Sequence, residues 1–282
     1  FYDNFITGRK ERVIVIISDA FRYEVAKELV EKFRFDEKID ANIDLQIGVV
    51  PSLTSLGMAV LLPNKIVEFD DNYKVYVDGK PTNNLAERKA ILQQANPRSD
   101  CIQYDDLIKM KREEMRKFFA GKQIIYIYHN QIDARAHSIE DEVFDACYEA
   151  MDEIENVIKK LTYDISATKF IITADHGFIY TRRKSRESEK IDRFFENKDM
   201  INKRFIISEN KYDEVGTRSM IVSDVLDNYD SRTITTPLTS NVFKTQGRGL
   251  NFIHGGCSPQ EIIVPVIEVK TVTGAVETEK VK

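Results

Sequence analysis

Two kinds of hydrophobic run recur along the chain. RVIVIIS at 12–18, QIIYIYHN at 123–130 and KFIITADH at 169–176 are short, β-branched or aromatic, and apolar at odd and even positions alike. That pattern predicts strands buried on both faces, as in a parallel sheet. YEVAKELVEKF at 23–33 and EDEVFDACYEAMDEIENVIKKL at 140–161 repeat their apolar residues at helical spacing. They predict amphipathic helices, and the acids crowding the start of the second suit the positive end of a helix dipole. NIDLQIGVV at 42–50 reads as a further strand, SLGMAVLL at 55–62 as a short buried helix after the PSLT turn, and DDLIKMKREEMRKFF at 105–119 as one charged helix. The resulting order of strand, helix, strand, helix, strand predicts an α/β fold with a mostly parallel central sheet and helices on both faces.

Two stretches interrupt this order. Residues 63–97 lose the periodicity, and Asp78-Gly79 between strand-like residues signals a hairpin, so the segment reads as an insertion. Residues 181–250 are polar and irregular apart from RFIIS at 204–208 and SRTITT at 231–236, and read as a second insertion or cap. EIIVPVIEVK at 261–270 predicts a last strand, with Pro265 placing it at an edge or a bulge. The expectation is one catalytic domain over 1–282 with inserted cap segments at 63–97 and 181–250.

Composition narrows the class. At 282 residues, 42% of them apolar, the chain can fill a sizeable core. No run of about 18 apolar residues is present to span a bilayer, and FYDNFITGRKER lacks the layout of a signal peptide. A soluble, cytoplasmic protein without a membrane partner is expected, and the missing initiator methionine suggests a piece of a longer chain. Cys101, Cys147 and Cys257 are odd in number and widely spaced, which fits a reducing compartment. A formal charge of −5 gives no global attraction to nucleic acid, yet residues 181–204 hold nine Lys/Arg against five Asp/Glu. That stretch reads either as a solvated loop or as a contact with a polyanion.

The chemistry gathers at the strand ends, where open parallel α/β sheets bind their ligands. VIVIIS leads to Asp19, IGVVPS to Thr54, IYIYHNQI to Asp133, and FIITA to Asp175-His176, while NFIHGG delivers His254 before the last strand. Three of the four histidines lie in such contexts: Asp133-x-x-x-His137, Asp175-His176-Gly177 and His254-Gly255-Gly256. His129 lies on a strand and reads as core. Singly these residues have plainer roles: Asp19 can cap a helix, and Thr54 or Ser52 can cap the helix at 55–62. Together, three Asp, three His and one hydroxyl suffice for two tetrahedral zinc-type sites. Two such ions clamp the attacking and leaving oxygens of a displacement at phosphorus, and contact with one would turn Thr54 into a nucleophile.

SDAFRYE, PSLTSLGMAVLLP, YHNQIDARAH, ITADHGFIY and IHGGCSPQEIIVP, in this order, resemble the PglZ family of the alkaline phosphatase superfamily, of the type found in BREX phage-defence systems. The resemblance runs through most of the chain. It implies an alkaline phosphatase-like fold, one zinc on Asp19, Thr54, Asp175 and His176, and a second on Asp133, His137 and His254, with manganese an alternative ion. It also implies a metal-dependent phosphodiesterase or nuclease-like hydrolase with a Thr nucleophile, acting on a phosphate ester such as a nucleotide or nucleic acid beside other phage-defence proteins. The Cys/Ser-x-Pro-x-Arg motif of sulfatases is absent around PSLTS. The phosphodiesterase branch's phosphate-binding Asn has no fixed counterpart among Asn64, Asn72, Asn83 and Asn84. Arg22 and Arg135, near the site in sequence, would favour monoesters if they reach it. A phosphomutase, and a catalytically silent, metal-stabilised interaction module of a defence complex, are the alternatives.

Overall fold

The structure, a computed structural model, describes residues 1–138, 142–183, 186–187, 190–192, 194–196, 198–245 and 251–273, without the side chains of residues 137 and 138. Its centre is a six-stranded sheet in the order Ile39–Ile47, Ile263–Thr271, Lys169–Thr173, Val13–Ser18, Ile124–His129, Ser99–Gln103. Val13–Ser18 pairs in parallel with Ile124–His129 and Lys169–Thr173, and Ser99–Gln103 in parallel with Ile124–His129. Ile263–Thr271 runs antiparallel to both its neighbours.

Alternation within Val13–Ser18 explains its unbroken apolar run. Ile14 and Ile16 face one core with Ile125, Ile127, Phe170 and Ile172, covered by helices Tyr23–Phe33, Arg112–Phe119 and Val143–Ile165. Val13, Val15 and Ile17 face the other with Tyr126 and Ile171, covered by Leu56, Met58 and Ala59 of helix Thr54–Val60 and by Ile91 and Leu92 of helix Leu85–Ala95. Each such side chain, fully buried, contributes about 1.5–3 kcal/mol of transfer free energy, so neither face of these strands tolerates a charge.

Several expectations change in detail. The charged run 105–119 forms two helices, Tyr104–Lys109 and Arg112–Phe119, because Met110 and Lys111 are extended and the Glu114 carboxylate accepts the Lys111 N–H at 2.8 Å at the start of the second. Pro265 lies inside the sheet, not at an edge. Ile262 and Thr271 send their polar backbone groups to opposite neighbours, so by alternation Pro265 faces the Lys169–Thr173 side. There it lies one residue past the last paired position, Val266 opposite Thr173, and the missing N–H costs no ladder bond. Its carbonyl accepts the Thr173 hydroxyl at 2.8 Å. Helix Leu85–Ala95 and strand Ser99–Gln103 carried too little periodic signal to be read from sequence.

The interrupting stretches have structure of their own. Val67–Phe69, Val75–Val77 and Lys80–Pro81 form a small antiparallel sheet, turned at Asp78 and Gly79 with φ of 48° and 74°. That is the left-handed pair a two-residue hairpin needs. Met200–Ile201, Ile206–Ser208, Thr233–Pro237 and Thr217–Ile221 form a four-stranded antiparallel sheet, whose Phe205, Ile207 and Ile234 enter the second core. Among the described residues no helix is long and apolar enough to cross a membrane.

Candidate metal centre and nucleophile

The four polar strand ends converge. Asp19 follows Val13–Ser18, and its N–H donates to the His129 carbonyl at 2.8 Å, which continues the parallel ladder one residue past the strand. Ala20 then turns into the left-handed region at φ 60°, and its N–H donates to Asp175 Oδ1 at 3.2 Å. A non-glycine residue in that conformation is held there by its surroundings; here the turn brings the Asp19 loop onto the neighbouring strand end.

Asp19, Asp175 and His176 are buried, and one ligand atom from each lies within 4.8 Å of the others. His176 Nε2 is 3.3 Å from Asp175 Oδ2 and 3.6 Å from Asp19 Oδ1. Its Nδ1 is 2.9 Å from the Gly177 carbonyl, which can only accept, so Nδ1 carries the proton and Nε2 keeps its lone pair. Thr54 Oγ1 lies 2.9 Å from that Nε2. Thr54 is the first residue of helix Thr54–Val60 and makes no cap; the N-cap is Leu53, which has no side-chain cap hydrogen bond. Ser52 does not cap either. Its Oγ donates to the Gly256 carbonyl at 2.9 Å and accepts the Gly255 N–H at 2.8 Å.

That second pair ties the Thr54 loop to the His254 loop. His254 Nδ1 donates to the Ser52 carbonyl at 3.0 Å, and its Nε2 lies 3.7 Å from Asp133 Oδ1 on helix Ile132–Ser138. The His176 and His254 rings stack with centroids 4.1 Å apart and planes 9° off parallel. Six of the seven residues singled out from sequence therefore meet in one place. The seventh, His137, lies on the same helix as Asp133, and its side chain is outside the described residues. His129 is core: its Nδ1 meets Ser18 Oγ at 2.9 Å and its Nε2 meets Glu153 at 2.8 Å.

The electrostatics suit a cation. Among the described residues, Asp19 Oδ1 and Asp175 Oδ2 are buried without a hydrogen-bond partner. Burial, then the facing carboxylates of Asp175 and Asp133, push the Asp19 carboxyl well above its usual range. Burial lifts Asp175 to about 7. Burial pushes His254 down to about 4, leaving a neutral imidazole. Carboxyl oxygens and imidazole nitrogens converging at one buried point fit a divalent ion of the zinc or manganese kind.

Sequence reasoning missed the supports. A Cβ on Gly57 would overlap the Asp175 carbonyl oxygen, so the helix bearing Thr54 rests directly on the Asp175 backbone. Arg204, part of the basic stretch read as a solvated loop or a polyanion contact, is instead fully buried against Glu261, with Nη2 to Oε2 at 2.7 Å and both side chains at 0% exposure. Glu261 Oε1 also accepts the Gly256 N–H and its backbone carbonyl the Gly177 N–H, each at 2.8 Å. One ion pair thus holds both histidine loops, and no periodicity or spacing marks it. The site's other arginines point elsewhere: Arg135 pairs with Glu142 and Glu149, and Arg22 with Glu24.

Comparison with known proteins agrees with this architecture. A sequence model described as the BREX system PglZ alkaline phosphatase-like domain matches residues 3–269. The alkaline phosphatase-like protein PglZ of Bacillus cereus (strain H3081.97) is 42% identical over 96% of this chain and 32% of its own length. The alkaline phosphatase-like protein BrxZ of Escherichia coli O9:H4 (strain HS) is 34% identical over 92% of this chain and 30% of its own. The chain thus spans about a third of the length of these curated relatives. Among solved structures, murine ectonucleotide pyrophosphatase/phosphodiesterase 5, as an inactive form in complex with AMP, superposes with a TM-score of 0.63 at 12% identity, over 93% of this chain and 88% of that one. Phosphonoacetate hydrolase from Sinorhizobium meliloti 1021, in complex with phosphonoformate, gives 0.52 at 11% identity, over 92% and 90%. At such identities the likeness establishes the fold, which is alkaline phosphatase-like. With a family match over most of its length and relatives at 42% and 34% identity, the chain belongs to the PglZ family, as its BREX-type alkaline phosphatase-like domain.

Proposed function

We propose that this domain is a metal-dependent phosphodiesterase with Thr54 as its nucleophile. The observation that carries the reading is the Thr54 hydroxyl, 2.9 Å from His176 Nε2 at the rim of the buried Asp19, Asp175 and His176 cluster. In this reading Asp19, Thr54, Asp175 and His176 hold one divalent ion and Asp133, His137 and His254 a second, with zinc the fitting ion and manganese accepted by the same ligand types. Bound there, the ions would lower the pKa of the Thr54 hydroxyl and neutralise charge on the phosphoryl and leaving oxygens.

The protein's own groups orient the reaction. The Gly177 carbonyl fixes the His176 tautomer, and in the metal-free site Nε2 lies 2.9 Å from the Thr54 hydroxyl, which places that oxygen at the cluster. The Thr54 oxygen attacks phosphorus and loses its proton to solvent, while the bond from phosphorus to the leaving oxygen breaks and that oxygen regains a proton. Water then cleaves the phosphothreonine and restores the hydroxyl. A diester suits the site better than a dianionic monoester, because Arg22 and Arg135 are engaged by carboxylates and add no extra cationic clamp.

We read 1–282 as one catalytic unit with 63–97 and 181–250 as insertions that shape the substrate, belonging to a longer cytoplasmic protein that acts in phage defence with other proteins of that system. The test is hydrolysis of bis-nitrophenyl phosphate and of nitrophenyl phosphate by zinc- or manganese-loaded protein. Diester turnover lost in Thr54→Ala supports the reading. A monoester preference overturns the diester choice, and no turnover with bound metal points to a silent interaction module.

A further inference from the structure

A phosphoryl group attacked by Thr54 has non-bridging oxygens that need a donor, and the nearest candidates in sequence are engaged elsewhere. Asn64 Nδ2 donates to the Val60 and Leu62 carbonyls at 3.3 and 2.6 Å, and Asn84 Oδ1 accepts the Glu87 N–H at 3.0 Å as the N-cap of helix Leu85–Ala95. Arg22, Arg135 and Arg204 are each paired with carboxylates. Arg88, half-buried on helix Leu85–Ala95, differs. Its Nε donates to the Thr82 carbonyl at 2.8 Å and its Cζ lies 4.8 Å from the centre of the Tyr128 ring. Among the described residues no carboxylate pairs with it, and Nη1 and Nη2 meet no hydrogen-bond acceptor.

Tyr128 places that guanidinium in the fold. It stands opposite Ile17 in the parallel ladder, one residue before its strand ends, and shares a core with Ile17 and with Leu56 of the helix that begins at Thr54. Asp19 continues the ladder through its N–H to the His129 carbonyl, so by alternation its side chain leaves on the face of Ile17. The same helix rests through Gly57 on Asp175. Arg88 therefore lies on the side of the sheet that carries Thr54, Asp19 and Asp175, close to the strand ends. Electrostatics agree with this placement: burial, then Asp175 and Asp133, push the Asp19 carboxyl up, and the Arg88 charge opposes them. Helix Leu85–Ala95 belongs to the stretch 63–97, so that insertion brings a cation to the site.

We propose that Arg88 is a catalytic residue that binds a non-bridging oxygen of the phosphoryl group under attack by Thr54. The terminal nitrogens of a guanidinium form a planar fork that fits phosphate oxygens, and this one, held by Thr82 and Tyr128, loses little freedom on binding. Charge that develops on those oxygens in the transition state meets a donor already in position. This rests on the phosphodiesterase reading and deepens its choice of ester. With two divalent ions balanced by the carboxylates of Asp19, Asp133 and Asp175 and by an ionised Thr54, Arg88 is the charge left to match the single charge of a diester. A dianionic monoester would keep one negative charge unmatched.

The test is titration calorimetry of zinc-loaded protein with orthovanadate, whose trigonal-bipyramidal adducts resemble a phosphoryl group in transfer. Arg88→Met is expected to weaken vanadate binding by about 10²-fold and to lower kcat/KM for bis-nitrophenyl phosphate by a similar factor, the scale of losing one donor to a transition-state oxygen. Zinc content and melting temperature should stay at the wild-type values. Arg88→Lys, which keeps the charge without the fork, is expected to recover part of both losses. Unchanged vanadate affinity in Arg88→Met overturns the proposal. Equal losses in both variants with a lowered melting temperature also overturn it, because they assign Arg88 to packing on Tyr128 and the Thr82 loop. Arg88-dependent vanadate binding by wild-type protein that does not hydrolyse bis-nitrophenyl phosphate would sink the phosphodiesterase reading and uphold the Arg88 contact. Wild-type protein that binds no vanadate overturns the oxyanion contact itself.

Discussion

The Thr54 hydroxyl lies 2.9 Å from Nε2 of His176, two residues 122 positions apart in the chain. His176 is held on its other side by the Gly177 carbonyl, so the lone pair that meets Thr54 is also the one available to a cation. The oxygen that would attack and the ring that would hold the ion are thus set against each other before either is used.

Thr54→Ala is expected to lower diester turnover by roughly 10³-fold or more, as removal of a nucleophile does, while leaving the folded fraction unchanged. Thr54→Ser should retain measurable activity, since the hydroxyl stays and only the methyl is lost. Steady-state kinetics with circular dichroism on the same samples decide this, and wild-type rates in the alanine variant would remove Thr54 from the role.

Asp175 gives the metal-stripped protein a recognisable pH signature. Its folded carboxyl titrates at about 7 against 3.8 in the unfolded chain, so the fold prefers the protonated form. The contribution to stability is complete below the unfolded value and is lost as pH rises through about 7. The melting temperature of EDTA-treated wild type should therefore fall between about pH 4 and 7 more steeply than that of Asp175→Asn. Zinc should raise the wild-type value at pH 7.5 and raise it much less in the variant. Parallel slopes for the two proteins would show that burial of this carboxyl carries no such penalty.

Breaking the Arg204–Glu261 pair leaves a buried charge without its partner. Arg204→Met is expected to cost about 3–5 kcal/mol in urea unfolding, and Arg204→Met with Glu261→Leu considerably less than that single change. The Glu261 carboxyl is held below its usual range by Arg204 and by the backbone and side-chain donors around it, in spite of burial. Its stabilising effect is present above about pH 4.5 and lost as pH falls through the lowered value. A cost under about 1 kcal/mol for the single change would assign the loop anchoring to other contacts.

Gly57→Ala should stabilise an isolated helix by about 1 kcal/mol, yet here the added methyl overlaps the Asp175 carbonyl. Net destabilisation of about 1–3 kcal/mol is expected, with reduced zinc occupancy because helix Thr54–Val60 must lift off the metal loop. Thermal melts and metal content by plasma mass spectrometry measure both, and an unchanged or more stable variant would refute the contact.

Much of the fold was legible because burial leaves a periodic trace. Val13–Ser18, Ile124–His129 and Lys169–Thr173 are apolar at every buried position but their last, and helix Val143–Ile165 repeats its apolar face over six turns. Asp19, Thr54, Asp133, Asp175, His176 and His254 were legible because a polar residue ending such a strand breaks the pattern at the edge where ligands bind. The interior position of Pro265 was not, since it depends on which neighbour a backbone group faces, and helix Leu85–Ala95 and the 105–119 break were not, since weak or unbroken apolar spacing hides them.

By itself, then, the sequence determined the layers of the domain and the residue types at its strand ends, because local periodicity and the chemistry of Asp, His and Thr are properties of short segments. Only the tertiary structure decided that Ser52 fastens the Thr54 loop to the His254 loop, that Gly57 lies on Asp175, that Arg204 is buried on Glu261, and that Arg88 lies against Tyr128. Those pairs are separated by 40 to more than 200 residues, and nothing in either partner's neighbourhood encodes the other. Their contact exists only once the sheet has brought the loops to one edge.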